Sequence, residues 1–378
     1  MKNRKLAAIF LFALLGIGTI SGCKSTDNTE TATSSAIFTA ASSGVGTKVK
    51  QTLSNGLIID ADISIPKEIN TKAVPISKVT AVQFSKEKAL KILLQNTKVK
   101  THQSQYDGAT RGGNKTPIEI YTAENGSTIN LDAGMGRISL DSPLADQISF
   151  AYFDSENSLA GKSNQSAYKK RNLSFMSAQQ AVKRARDILT QLGIPSLSQP
   201  KIVALDHETL QKQEVDPQKY KIKPTDKLKK KGIWTTDDEC YAISFRQTVN
   251  GIPVGDDWLF NDSNPPKIKM LLNKNGIVML DVASYQLTDD KTETKPVVTV
   301  SQALKSFTKT YASVHLSSSV LLNNISLCYE LELTNSNSDT YIFSPVWVFS
   351  MINKSNDKSG DFTTKAYVDA VTGKIIHT

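Results

Sequence analysis

Cys240-Tyr241-Ala242-Ile243-Ser244-Phe245 and Cys328-Tyr329-Glu330-Leu331-Glu332-Leu333 decide how this chain folds. In the first, alternation puts Tyr241, Ile243 and Phe245 on one face of a strand; in the second it does the same for Tyr329, Leu331 and Leu333. The likeness continues downstream. Trp258-Leu259-Phe260 matches Trp347-Val348-Phe349, and Leu280-Asp281 matches Val368-Asp369. The distance from cysteine to aspartate is 41 residues in both, which predicts a repeated unit with the same strand order and a similar register.

Upstream of these strands lie helix-start signals. Ser85, Ser177 and Thr299 each follow an apolar residue and precede an apolar pair, Ala89-Leu90, Ala181-Val182 and Ala303-Leu304. A hydroxyl there can accept from the free N–H groups of the first turn, and Gln180 and Gln302 complete a capping box that Lys88 does not. In the second segment Ala181, Ala185, Ile188, Leu189 and Leu192 share a helical face, with Gly193 and Pro195 as the stop. Turns are marked by Asn125-Gly126, Asn250-Gly251, Asn273-Lys274-Asn275-Gly276 and Thr372-Gly373. The expectation is an α+β fold of repeated blocks, each with one capped helix packed on antiparallel sheet: an N-terminal block over 53–173, a central one over 174–292 and a C-terminal one over 293–378.

The N-terminus reads differently. Lys2, Arg4 and Lys5 precede an uncharged apolar run from Leu6 to Ile20, which is short for a membrane span and ends at Ser21-Gly22-Cys23. This pattern predicts an export signal over 1–22. Residues 23–52, rich in Ser, Thr and Ala, read as a flexible tether. Loss of the signal lowers the formal net charge from +9 to about +6, so the exported chain stays basic. Beside a membrane such a charge favours anionic lipid or an anionic wall polymer, and export argues against nucleic acid as a partner.

Cys240 and Cys328 are a candidate disulfide, although spacing alone does not bring their Cα atoms together. An insertion over 207–238 in the central block carries Lys219, Lys221, Lys223, Lys227, Lys229, Lys230 and Lys231. Its ordinary reading is a solvated loop or ribbon; its functional reading is a docking surface for anionic lipid, wall polymer or an acidic partner. Trp258 and Trp347 are candidates to line a ligand groove, against the commoner role of such residues in a core.

No catalytic set, cofactor motif or metal-ligand spacing emerges. His102, His207, His315 and His377 are scattered, and His207-Glu208 lacks the second histidine of a helical zinc site. Gly108–Gly113 lacks the Gly-Lys-Ser/Thr ending of a phosphate loop. Asp237-Asp238-Glu239 and Asp256-Asp257 are weak calcium candidates, and Asp281 and Asp369 read as strand-end residues that accept local backbone N–H bonds.

Two segments resemble a known family. Phe245–Val254, with its Asn-Gly-aliphatic-Pro-Val ending, and Phe343–Phe349 followed by Ala366–Ile375, with Pro-Val-Trp and Val-Asp-Ala-Val-Thr-Gly, are similar to PepSY-like and YycH/YycI-like extracytoplasmic modules. Ile20-Ser21-Gly22-Cys23 resembles the lipobox of bacterial lipoproteins, which implies lipidation of Cys23 and a place on the outer face of the cell membrane. The resemblance implies a non-enzymatic surface lipoprotein that binds and regulates another envelope protein, a sensor kinase or a protease. The second expectation is a lipoprotein that binds a solute, peptide or wall fragment. Cys23→Ser is expected to abolish incorporation of a labelled fatty acid and to move the protein from the membrane fraction to the medium.

Overall fold

The computed structural model describes residues 37–39, 47–53, 55–66, 69–95, 97–106, 117–153, 163–194, 196–216, 230–255, 267–288, 292–316, 318–333, 340–354 and 361–377. The first strands are β1 (Ile37–Thr39), β2 (Thr47–Thr52), β3 (Leu57–Ser64) and β4 (Val74–Ala81), followed by helix α1 (Lys86–Leu94). Next come β5 (Val99–Gln105), β6 (Ile118–Ala123), β7 (Thr128–Asp132), β8 (Arg137–Asp141), α2 (Pro143–Ile148) and α3 (Ala178–Gln191). The middle of the chain adds β9 (Lys201–Leu205), α4 (His207–Gln213), β10 (Cys240–Phe245), β11 (Thr248–Val249), β12 (Ile252–Pro253), β13 (Lys267–Asn273) and β14 (Gly276–Ala283). The chain closes with β15 (Tyr285–Leu287), β16 (Glu293–Lys295), α5 (Val300–Ala312), β17 (Val320–Leu333), β18 (Thr340–Asn353), β19 (Phe362–Asp369) and β20 (Ile375–His377).

These strands build two large sheets. One runs β1-β2-β3-β17-β18-β19-β20, with β4 joined to β18, β15 and β16. The other runs β5-β6-β7-β8-β14-β13-β10-β9. The expected chain of helix-on-sheet blocks is therefore wrong: the fold is mostly β-sheet, and the sheets draw strands from distant parts of the sequence. β3 lies parallel to β17, with Leu57 beside Val320 and Ile63 beside Ile325. Parallel neighbours need a long crossover, and here the crossover contains the entire second sheet.

That second sheet is an excursion from the first. The chain leaves after Ala81 and returns at Tyr285, and these two residues are cross-strand partners. At this neck Val82 N–H donates to Ser284 O at 3.0 Å, and Ser284 N–H donates to Gly136 O at 3.1 Å. Gln247, only 1% exposed, finishes the closure: its Oε1 accepts from Tyr285 N–H and from Ser284 Oγ, both at 3.1 Å, and its Nε2 donates to Tyr285 O. The β11–β12 hairpin adds a second tie, with Gly255 N–H donating to Tyr329 O at 2.7 Å. Its turn, Asn250-Gly251, takes positive φ at both positions, as a tight hairpin requires.

Local signals hold. Ser85, Ser177 and Thr299 cap their helices, and Gln180 and Gln302 close reciprocal capping boxes. α3 buries Ala181, Ala185 and Leu189 against one face of the second sheet, in a core shared with Tyr241, Ile243 and Leu280. α5 buries Ala303, Leu304 and Phe307 on the first sheet, where Phe307 stacks on Phe349 at 4.6 Å.

The repeat keeps its strand order, since β10-β13-β14 and β17-β18-β19 are both consecutive antiparallel strands. Its register differs. Asp369 lies opposite Val346, which faces Cys328, whereas Asp281 lies opposite Lys269, which faces Ser244, four residues beyond Cys240. Part of the expected tether is ordered: Thr47–Thr52 is a strand paired with β3, and its Val49 is buried in the core.

Gly136 threads the neck at φ +57°, and a Cβ there would lie 2.5 Å from Ser284 O and 2.9 Å from Val82 N. Both obstacles are backbone. Gly136→Ala is expected to lower unfolding free energy by about 3 kcal/mol in urea titration, from positive-φ strain and overpacking together.

Candidate functional site

Helix α2 begins where Ser142 accepts from Ala145 N–H at 3.2 Å and Pro143 supplies a preset φ in the first turn. Its Ala145 and Ile148 are buried against the second sheet, on the face opposite α3, in a core shared with Leu271, Val278 and Leu205. Beside that contact a cleft of about 350 Å³ remains. Its lining includes Asp141, Asp146, Tyr152, Lys201, Val203, Ala242, Ser244, Lys269, Leu271 and Met279.

Strand register orders this floor into two rows. Directly paired residues place Asp141, Met279, Leu271, Ala242 and Val203 side by side across five strands. One step along, Ser139, Asp281, Lys269, Ser244 and Lys201 form a parallel row. The inner row is apolar apart from Asp141 at its end. The outer row carries Lys269 and Lys201 on either side of the Ser244 hydroxyl. Asp281 does not face a strand end, as expected; it sits within β14, and Arg137 Nε donates to it at 3.0 Å. Asp369 does fill that role, accepting from Val371 N–H at 2.7 Å and Thr372 N–H at 2.9 Å.

Asp141 and Asp146 stand at the β8 end of the cleft and Lys201 at the β9 end, while Lys269 sits between, directly opposite Asp281. Desolvation by the cleft wall raises the Asp141 carboxyl above its ordinary value, the carboxylates of Asp281 and Asp146 push the same way, and Arg137 opposes them. Desolvation also raises Asp146. Both residues still reach solvent, so the cleft holds accessible carboxylates at one end and the exposed ammonium of Lys201 at the other. With an apolar strip between, this arrangement suits binding an amphiphilic molecule. The sequence carried one sign of the site, the Ser142-Pro143 helix start before Asp146. The two rows were hidden because their members come from strands far apart in the chain.

Several expected site residues lie elsewhere. Cys240 and Cys328 are free buried thiols on different sheets and in different clusters, so no bridge joins them. Trp347, 1% exposed, donates from Nε1 to Val298 O at 3.1 Å and is a core residue, not a groove wall. Trp258 and Asp256-Asp257 lie outside the described residues, as do Cys23, Gly108–Gly113, Lys219, Lys221, Lys223, Lys227 and Lys229. Of the lysine cluster, Lys231 pairs with Asp238 at 3.2 Å and lies 5.6 Å over the ring of the buried Trp234, while Lys230 is exposed. The acidic triplet is likewise committed, Asp237 to Lys274 and Glu239 to His207.

A second polar group decorates the sheet edge at β5. His102 and Ser104 both bond Glu119, holding its carboxyl below the usual range, with the His102 contact the larger cause. His102 stacks on Tyr121 at 4.4 Å. Because serine and histidine share one carboxylate and do not bond each other, the group is no nucleophile relay. Among the described residues no cluster of His, Cys, Asp and Glu is placed to hold a metal ion, and no helix is long and apolar enough to cross a membrane.

No family model and no curated protein matches this chain. A solved structure does. The crystal structure of an uncharacterised protein from Eubacterium rectale aligns with a TM-score of 0.65, at 19% identity, over 87% of this chain and 92% of that one. The likeness concerns the fold.

The raised Asp141 carboxyl has a signed consequence. Between its unfolded and folded pKa values the native state binds more proton, so this residue's charge costs stability above that window and nothing below it. Asp141→Asn should therefore raise the melting temperature at pH 7 by about 1–2 °C, limited by solvent screening, and the gain should vanish near pH 3. A loss at pH 7 would contradict this electrostatic reading.

Proposed function

We propose that this chain is a lipid-anchored extracytoplasmic binding protein whose ligand, a solute, peptide or wall fragment, occupies the cleft beside α2. The observation that carries the reading is the cleft itself. An apolar strip of Met279, Leu271, Ala242 and Val203 runs between two oppositely charged ends, and its volume of about 350 Å³ is sufficient for a small ligand. The lipobox-like Ile20-Ser21-Gly22-Cys23 supports export and acylation, and with them a cleft on the outer side of the membrane, where such ligands occur.

Docking to a sensor kinase or protease is the other reading, and the exposed β5 favours it. All seven of its residues face solvent at the end of the second sheet. An unpaired edge can accept a partner strand, but Lys100 lies along it and Lys98 just before it, and lysine on an edge disfavours pairing. The cleft therefore carries the stronger case.

The test uses the neutral apolar fluorophore N-phenyl-1-naphthylamine. Saturable binding of one molecule per chain is expected, with Ala242→Trp, which fills the middle of the strip, weakening it at least tenfold while the melting curve stays cooperative. Absence of saturable binding, or binding indifferent to Ala242→Trp, would contradict the reading.

A further inference from the structure

Resting on the proposal that the cleft binds a ligand, we infer that its natural ligand is a short peptide with free ends, its ammonium group at Asp141 and Asp146 and its carboxylate at Lys201 and Ser244. Three features of the cleft point there together. The carboxylates belong to β8 and α2, at one end of the apolar row. Lys201 belongs to β9 and lies directly opposite Ser244 on β10. The floor between them is the row Met279, Leu271, Ala242 and Val203, which offers apolar side chains a surface with no hydrogen bond to satisfy, while Ser149, Tyr152 and Gln165 also line the cleft.

Length follows from sheet geometry. Asp141 and Ser244 are three strands apart and one two-residue step along, and neighbouring strands lie about 4.8 Å apart with a rise of about 3.4 Å per residue, giving about 16 Å between backbones. Side chains reaching inward from both ends shorten the gap between charges to roughly 10–13 Å, the span of three or four extended residues at about 3.4 Å each. A single amino acid cannot touch both ends. A simple fatty acid leaves the carboxylates unmatched, and a polyamine leaves Lys201 unmatched. A free-ended tri- or tetrapeptide satisfies both and lays its apolar side chains on the strip.

The placement also accounts for the paired carboxylates of the cleft. Two carboxylates near one another in a partly desolvated wall repel, and a cation between them relieves that repulsion. Specificity then comes from the ends, because losing a hydrogen bond to a charged group costs more than losing a methylene from the strip.

The experiment is displacement of N-phenyl-1-naphthylamine from the full chain by four versions of one tetrapeptide, Ala-Leu-Val-Ala: free, N-acetylated, C-amidated and blocked at both ends. Each block is expected to weaken binding about tenfold or more, as loss of a charged hydrogen bond would. The paired change Asp141→Asn with Asp146→Asn should erase the penalty of acetylation while keeping that of amidation, and Lys201→Gln should do the reverse. Lys201 is exposed, so its variant preserves the fold even if the aspartate pair does not. Equal binding of free and blocked peptides, or penalties unchanged by these variants, would overturn the proposal. If the fluorophore binds and no peptide displaces it, the peptide assignment falls and the cleft remains a ligand site; if the fluorophore does not bind either, both fall.

Discussion

The neck at Ala81 and Tyr285 is the constraint on which this architecture depends. An entire eight-stranded sheet leaves the first sheet there and returns to it, and β3 reaches its parallel partner β17 only after that excursion. Closing a loop of about 200 residues costs conformational entropy that grows only with the logarithm of its length, so a short ladder and a few buried hydrogen bonds can hold it. Gln247 is suited to this role. Its amide presents a donor and an acceptor to the backbone of Tyr285, like a strand one residue long, and each bond is shielded from water. Gly136 leaves the space through which both chain segments pass.

This arrangement couples the two cores. Val249, Ile252 and Val254, carried by the second sheet's excursion, are buried among Tyr329, Phe343 and Phe349 of the first. The cleft, in turn, lies on a sheet whose strand β8 is held at the neck end by the Gly136 turn and whose β14 runs straight into Ser284. Its floor is therefore fixed by backbone ladders on five strands, and α2 closes one side. A cleft built in this way has its floor set in advance by the backbone.

What could be read from the sequence was local. The caps at Ser85, Ser177 and Thr299 use hydrogen bonds within four residues, so Gln180, Gln302 and the hydroxyls carry the whole signal. Turns at Asn125-Gly126, Asn250-Gly251 and Thr372-Gly373 were legible for the same reason. Strand partnership was not. Alternation in Cys240–Phe245 and Cys328–Leu333 marks a strand with one apolar face, yet nothing in that pattern says that the second lies beside Leu57–Ser64. The equal cysteine-to-aspartate spacing misled because β17 and β18 are 14 residues long with a short connection, whereas β10 has six residues and a hairpin intervenes before β13. Trp347 was ambiguous by composition, since an aromatic residue on an alternating strand suits a core as well as a groove. The cleft residues Asp141, Lys201, Ser244 and Lys269 carry no shared motif; only the ladder aligns them.

Hydrogen exchange followed by mass spectrometry along a denaturant series would test the nested topology most directly. If β3 is a central strand paired to β17, peptides covering 57–64 and 320–333 will show comparable slow exchange and will lose protection at the same denaturant concentration. Rapid exchange of 57–64 in native buffer, with 320–333 still protected, would contradict the pairing and with it the reading of the second sheet as an excursion from the first.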